Sequence, residues 1–250
     1  MSSSIISNWN SRFWFIALLL LVPALAVAQS PVDVFTAALN QHGGAAVDSV
    51  ATIHIDGQST DRNGTLPVAI TAELDGHIRF DYGKPVVRSL VHTPQYEFIV
   101  RGSQVEHKQQ HVELFATLDM LSIFGLRRIE TGAPAWSDGG TAVDGGRTVI
   151  IRGVSTGQQR RIYGRFLKDN FQIAFDAQTG LVSSITRQQY SDNSLDVVFP
   201  VTYRFSDYRK VENVVFPFRI EKSVLSQITE TIVVSAVQLN PPVSGSTFER

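Results

Sequence analysis

The sequence predicts a mainly β fold with a few helices, its antiparallel strands curling into a barrel-like sheet. Three observations predict it. From residue 50 onward, apolar residues recur at every second position over most of the chain. Short turns built on Asp, Asn and Gly separate these runs. Large aromatic residues crowd the apolar face of the runs, so that face needs an interior to fill or to line. A period of two places alternate side chains on opposite sides of a strand, and many such strands in succession bend toward a barrel.

The first 28 residues stand apart. Arg12 is their one charge, and an apolar run from Phe13 to Ala28 follows it. Ala26-Val27-Ala28 has the small-x-small form that a signal peptidase accepts, so the reading is a secretory signal peptide cleaved between Ala28 and Gln29. Pro23 and the small residues after it favour cleavage over an uncleaved membrane anchor. Residues 29–250 then form a single domain. In the whole chain of 250 residues, 43% are hydrophobic, 18% are charged and none is cysteine. An exported protein without cysteine has no disulfides and must rest on its core. The formal net charge of −1 excludes the basic surplus of a nucleic-acid binder. These features imply a periplasmic protein of the bacterial envelope.

Ser30-Pro31-Val32-Asp33 reads as a helix start, because Ser caps, Pro suits the first turn and Asp favours the positive helix end. Val32, Phe35 and Leu39 share a face, and Gly43-Gly44 stops the helix. Strands are predicted where Ile53 and Ile55, then Val68 to Leu74, then Ile78, Phe80 and Tyr82, then Tyr96, Phe98 and Val100 alternate with polar residues. The second half repeats the pattern around Val149 and Ile151, Phe171 to Phe175, Val197 to Phe205, Val214 to Ile220, and Ile232 with Val234. Arg209 to Asn213 connect two of these as a structural hairpin, and Pro217 implies an edge or a local irregularity there, since proline donates nothing to a ladder. Residues 131–147 show no apolar period and read as loop. The run from His111 to Gly125 breaks the strand pattern and reads as a helix apolar on nearly every side, with Leu114, Leu118 and Leu121 on one face. Such a helix is either core or a cover over an apolar cavity.

No catalytic constellation appears. His107 and His111 are four apart, but Lys108 stands where a zinc protease needs its glutamate base. The paired glycines at 139–140 and 145–146 lack the Gly-Lys-Ser/Thr of a phosphate loop, and there is no Gly-x-Ser-x-Gly elbow. Neither a metal nor a cofactor is expected.

Taken together, "GHIRFDYGKP", "FQIAFDAQTGLVSSI", "FSDYRKVENVVFPFRI" and "VQLNPPVSGSTFE" resemble the outer-membrane lipoprotein-sorting carriers, the LolA/LolB-like superfamily. The resemblance implies an incomplete antiparallel β-barrel, a half-barrel enclosing a hydrophobic cavity under a helical lid. It implies a carrier or chaperone, not an enzyme, for acyl chains of lipoproteins or another lipid. It also implies membrane-bound donor and acceptor proteins as partners, and a monomer. The cavity candidates are Phe80, Tyr82, Phe98, Phe115, Leu118, Leu121, Phe124, Phe175, Tyr203, Phe216 and Phe218. The Arg-Pro pair that holds the lid in the well-known carriers has no match, because the corresponding turn reads Leu74-Asp75-Gly76. Two other readings stay open: an envelope sensor that binds lipid and regulates a partner, and a metal-dependent hydrolase using His107 and His111.

Overall fold

The computed structural model describes residues 30–93, 97–108, 118–131, 134–143, 148–162, 165–191 and 194–249. The signal segment up to Gln29, and Phe115 and His111 in the inner stretch, lie outside the described residues.

Helix α1 (Pro31–His42) begins as its sequence predicts. The Ser30 hydroxyl accepts from the Asp33 amide, and Pro31 opens the first turn. Gly43 ends it with φ at 131°, and a Cβ there would lie 2.6 Å from the Asn213 carbonyl oxygen. Glycine is therefore needed both for the backbone conformation and for the close seating of α1 on a hairpin tip. A single turn, α2 (Ala45–Asp48), follows.

The strands are β1 (Thr52–Asp61), β2 (Gly64–Glu73), β3 (Ile78–Tyr82), β4 (Arg88–His92), β5 (Glu97–Arg101), β6 (Gln104–Lys108), β7 (Pro134–Val143), β8 (Thr148–Ile162), β9 (Arg165–Asp176), β10 (Val182–Ser191), β11 (Ser194–Val211), β12 (Val214–Val224) and β13 (Gln227–Leu239). They form one 13-stranded sheet in the order β6-β5-β4-β3-β2-β1-β13-β12-β11-β10-β9-β8-β7. Every neighbour pair is antiparallel, and β1 joins β13 to bring the chain's ends together. The edge strands β6 and β7 do not pair with each other, so the sheet is an open half-barrel. The chain between these two edges carries a 3-10 turn (Leu118–Leu121) and helix α3 (Ile123–Thr131).

Register fixes which side chains share the inner face. Ile55, Ile70, Phe80, Leu90 and Ile99 stand opposite one another across β1 to β5. Ile151, Ile173, Ile185 and Tyr203 do the same across β8 to β11. Apart from Ile99, these rows belong, with Phe35 and Leu39 of α1 and with Leu121, Ile123, Phe124, Leu126 and Ile129 around α3, to one continuous cluster, Leu90 at its partly buried margin. Each fully buried residue of this size contributes about 1.5–3 kcal/mol before the entropy of ordering is subtracted.

Two sequence expectations are corrected. Of the helix expected over His111–Gly125, residues 111–117 lie outside the described residues. Leu118–Leu121 form a 3-10 turn rather than an α-helical one, and a helix then runs from Ile123 to Thr131, passing through Gly125. Leu126 and Ile129 are buried with Phe124, and their packing offsets the roughly 1 kcal/mol that a mid-helix glycine costs. The loop expected at 131–147 contains β7, whose ladder with β8 is interrupted at two places. An edge strand with bulges and small polar residues has no apolar alternation to read. Pro217, by contrast, fits its irregular position. It lies in β12, near the middle of the sheet, but the ladder to β13 stops at Arg219. At Pro217 only the β11 side is paired, opposite Tyr208.

Candidate functional site

The inner face has two unlike ends. At the helix end, α1 is keyed into the sheet by buried polar contacts. His42 is fully buried, and its Nδ1 donates to the Val215 carbonyl at 3.0 Å while its Nε2 accepts from the Val182 amide at 3.2 Å. A ring set between a carbonyl and an amide N–H is neutral, and burial pushes its pKa down against the smaller opposing pull of the Val215 carbonyl. Tyr208 packs edge-on against this ring at 5.5 Å and donates to the Val182 carbonyl. The positive φ of Asp207 (53°) resets the strand alternation just before it, which lets Tyr208 turn toward the core. Phe35 meets Trp136 at 5.5 Å, and Trp136 meets Phe171 edge-on at 5.6 Å.

Helix α3 packs over part of the inner cluster, and among the described residues Arg127 ties it to α2. Arg127 Nη1 donates to the carbonyls of Val47, Asp48 and Val50 at 3.2, 2.8 and 3.3 Å. Its Nε, buried, lies 3.9 Å from an Asp48 carboxylate oxygen and has no hydrogen-bond partner. Arginine satisfies the C-terminal carbonyls of the short helix and complements their negative end.

At the other end the hairpin turns form a rim. Here the inner face becomes polar. Ser59 Oγ donates to Glu230 Oε1 at 2.7 Å, and the Tyr82 hydroxyl donates to the same oxygen at 3.2 Å. Burial, and then the Glu230 charge, push the Tyr82 pKa far up, so the phenol stays protonated. Several large apolar side chains stand exposed in or beside the turns of this rim: Leu66, Val86, Val87, Val105, Val197, Val198, Leu225 and Ile228. Leu225 is 64% exposed and has φ at 50°. A leucine in the left-handed region is locally unfavourable, and its exposure yields nothing in return within the fold.

Most of the sequence candidates come together. Phe80, Tyr82, Leu121, Phe124, Phe175, Tyr203, Phe216 and Phe218 belong to the one inner cluster. Phe98 does not join them. It stands opposite Val91, which stands opposite Arg79, and so faces outward. There it packs with Val91 and with Phe248 of the C-terminal segment. Arg79 anchors that segment by donating to the Thr247 carbonyl at 3.0 Å. Leu118 opens the 3-10 turn, its side chain outside the described set. His107 lies on β6 opposite Phe98 rather than on a helix. The one metal-ligand-like group among the described residues is Glu73, Asp75 and His77, whose His77 Nδ1 lies 2.7 Å from an Asp75 oxygen. The sequence reading missed Leu126, Arg127 and Ile129. Leu126 and Ile129 continue the three-residue spacing of Ile123, a signal hidden by ending the apolar run at Gly125.

An open antiparallel half-barrel with an apolar inner face and helices over it is a distinctive architecture, and solved structures share it. An outer-membrane lipoprotein-sorting protein domain from Vibrio parahaemolyticus superposes with a TM-score of 0.50 at 8% identity, covering 86% of this chain and 95% of its own. A LolA-superfamily protein from Nitrosomonas europaea gives 0.53 at 9% identity, covering 89% and 99%. The fold is LolA-like. A DUF1329-family protein from Desulfovibrio piger gives 0.54 at 13% identity, covering 88% and 98%. No family model matches the sequence, and no curated protein matches it either. The LolA-like fold is thus shared through its backbone, with little identity left in the side chains. Among the described residues, no helix is long and apolar enough to cross a membrane.

Proposed function

We propose that this protein is a periplasmic carrier that holds the acyl chains of a lipid or lipoprotein against the inner face of its half-barrel. The observation that carries this reading is the contrast between wall and roof. The wall is a 13-stranded sheet lined with Phe80, Phe175, Phe216 and Phe218, whereas, among the described residues, the part of the roof formed by α3 is fastened to α2 through the side chain of Arg127. Lifting that roof would expose a broad apolar surface, and acyl chains would replace its contacts at about 0.8 kcal/mol per buried methylene. The likeness to lipoprotein-sorting structures supports the reading through the fold. The aliphatic rim at the hairpin end suits contact with a membrane during loading or release. Export through a cleaved leader would place the carrier between two membranes. No bond is made or broken in this scheme.

The test is uptake of the uncharged fluorescent probe N-phenyl-1-naphthylamine by the purified protein. Saturable binding is expected, and Arg127→Ala should speed uptake several-fold by releasing the roof. Native mass spectrometry of protein recovered from the periplasm should show a retained lipid mass. Absence of both probe binding and retained lipid would refute the carrier reading.

A further inference from the structure

Arg88 opens β4 directly opposite Tyr82, so both side chains leave the sheet on its inner face. The guanidinium carbon sits 4.2 Å from the centre of the Tyr82 ring. Among the described residues, the half-buried Arg88 side chain has no hydrogen-bond partner and no carboxylate within ion-pair distance, and the ring face is what its guanidinium meets. The nearby carboxylate, Glu230, is held elsewhere. Its Oε1 takes the hydroxyls of Ser59 and Tyr82, and across the β12–β13 ladder it stands opposite Lys222.

A guanidinium carries five N–H donors, and withdrawing it partly from water without acceptors is costly. The aromatic face returns only part of that at such a site. The ring also fixes the guanidinium, leaving its planar fork ready for a bidentate oxyanion. The position is suited to such a partner. Below Arg88 the inner face is apolar through Phe80 and Tyr82, while the adjoining turn carries the exposed Val86 and Val87. An amphiphile with its chain on the inner face would bring its headgroup to this level.

We propose that Arg88 is the headgroup contact of the basin and that the ligand is an anionic amphiphile, a carboxylate or a phosphodiester joined to aliphatic chain. This rests on the lipid-carrier reading and names its ligand class. Tyr82 acts as the platform that orients the guanidinium. Ser59 and the Tyr82 hydroxyl hold Glu230 so that it does not neutralise the arginine.

The experiment measures displacement of bound N-phenyl-1-naphthylamine by dodecanoate and by dodecanol, which differ in the headgroup. The protein should prefer the acid over the alcohol by about tenfold, and added salt should shrink the preference. In Arg88→Gln the ratio should fall to near one, and Arg88→Lys should keep part of it. Equal affinity for acid and alcohol in the unaltered protein, or a preference that survives in Arg88→Gln, would overturn the headgroup assignment while leaving the carrier reading intact. Failure of N-phenyl-1-naphthylamine to bind, together with absence of a retained lipid, would overturn the carrier reading and this one with it. Incubation with vesicles of phosphatidylglycerol or of phosphatidylcholine distinguishes the sources. Extraction of phosphatidylglycerol into the protein fraction marks a phosphodiester ligand, and a response to dodecanoate alone marks a carboxylate.

Discussion

The helix end and the rim of this half-barrel are built from the same strands yet resolve opposite demands. At the helix end, polar contacts key the helices to the sheet: His42 uses both ring nitrogens, Tyr208 caps the Val182 carbonyl, and Arg127 serves three carbonyls, while Arg127 Nε, Ser122 Oγ and His92 Nδ1 are buried without a hydrogen-bond partner among the described residues. At the rim, aliphatic side chains face solvent, a leucine occupies a left-handed turn, and Arg88 rests on a ring with no carboxylate in ion-pair distance among the described residues. Stability is concentrated where the helices seat, and the rim carries features that the fold alone does not need. Such departures from local consistency are where function is looked for.

The largest expected effect breaks the helix end. Phe216 is fully buried in β12 beneath the hairpin that receives α1. Phe216→Ala should cost about 3–5 kcal/mol, read as a lower urea midpoint. A change below about 1 kcal/mol would show that this end is not the stabilising one.

Acid should weaken the same end more gently. The folded pKa of His42 is held below its unfolded value, so the unfolded chain takes up a proton that the folded chain refuses. Stability from this residue is complete above the unfolded pKa, near 6.5, and is lost as pH falls from there toward the folded value, with a slope up to about 1.4 kcal/mol per pH unit. Urea midpoints at pH 7.5 and pH 5.5 should show this loss, and His42→Gln should flatten it. An unchanged slope in the variant would assign the acid sensitivity elsewhere.

The smallest effect on stability lies at the rim. Leu225→Asn replaces an exposed leucine at positive φ by a residue that tolerates that conformation, and should leave stability unchanged or raise it by up to about 1 kcal/mol. Delivery of bound lipid to vesicles should slow. A stabilised variant that delivers lipid at the original rate would remove the rim from the transfer step.

Much of this was legible in the sequence, and the limits have physical causes. Alternation marks a strand and groups its residues into two sets, but it does not say which set faces inward. Tyr96, Phe98 and Val100 alternate as clearly as Ile78, Phe80 and Tyr82, yet Phe80 joins the interior and Phe98 packs outward under Phe248. Register across β3, β4 and β5 decides between them, and register is a property of several strands at once. The C-terminal phenylalanine that makes the outward face a good place for Phe98 is more than a hundred residues away in the chain.

The sequence by itself determined the element types wherever the period was strong. It set the start of α1 through Ser30, Pro31 and Asp33, its end through Gly43, and strands β8, β9, β11, β12 and β13 through their apolar alternation. Those signals are local, since a cap, a positive φ and a period of two act within a few residues. Tertiary structure alone decided that α3 runs through Gly125, that the bulged stretch after Thr131 becomes an edge strand, and that Arg88 meets Tyr82 while Glu230 is drawn away. In each case the deciding energy comes from partners distant in sequence: buried side chains around α3, the ladder of β8, and hydroxyls from β1 and β3.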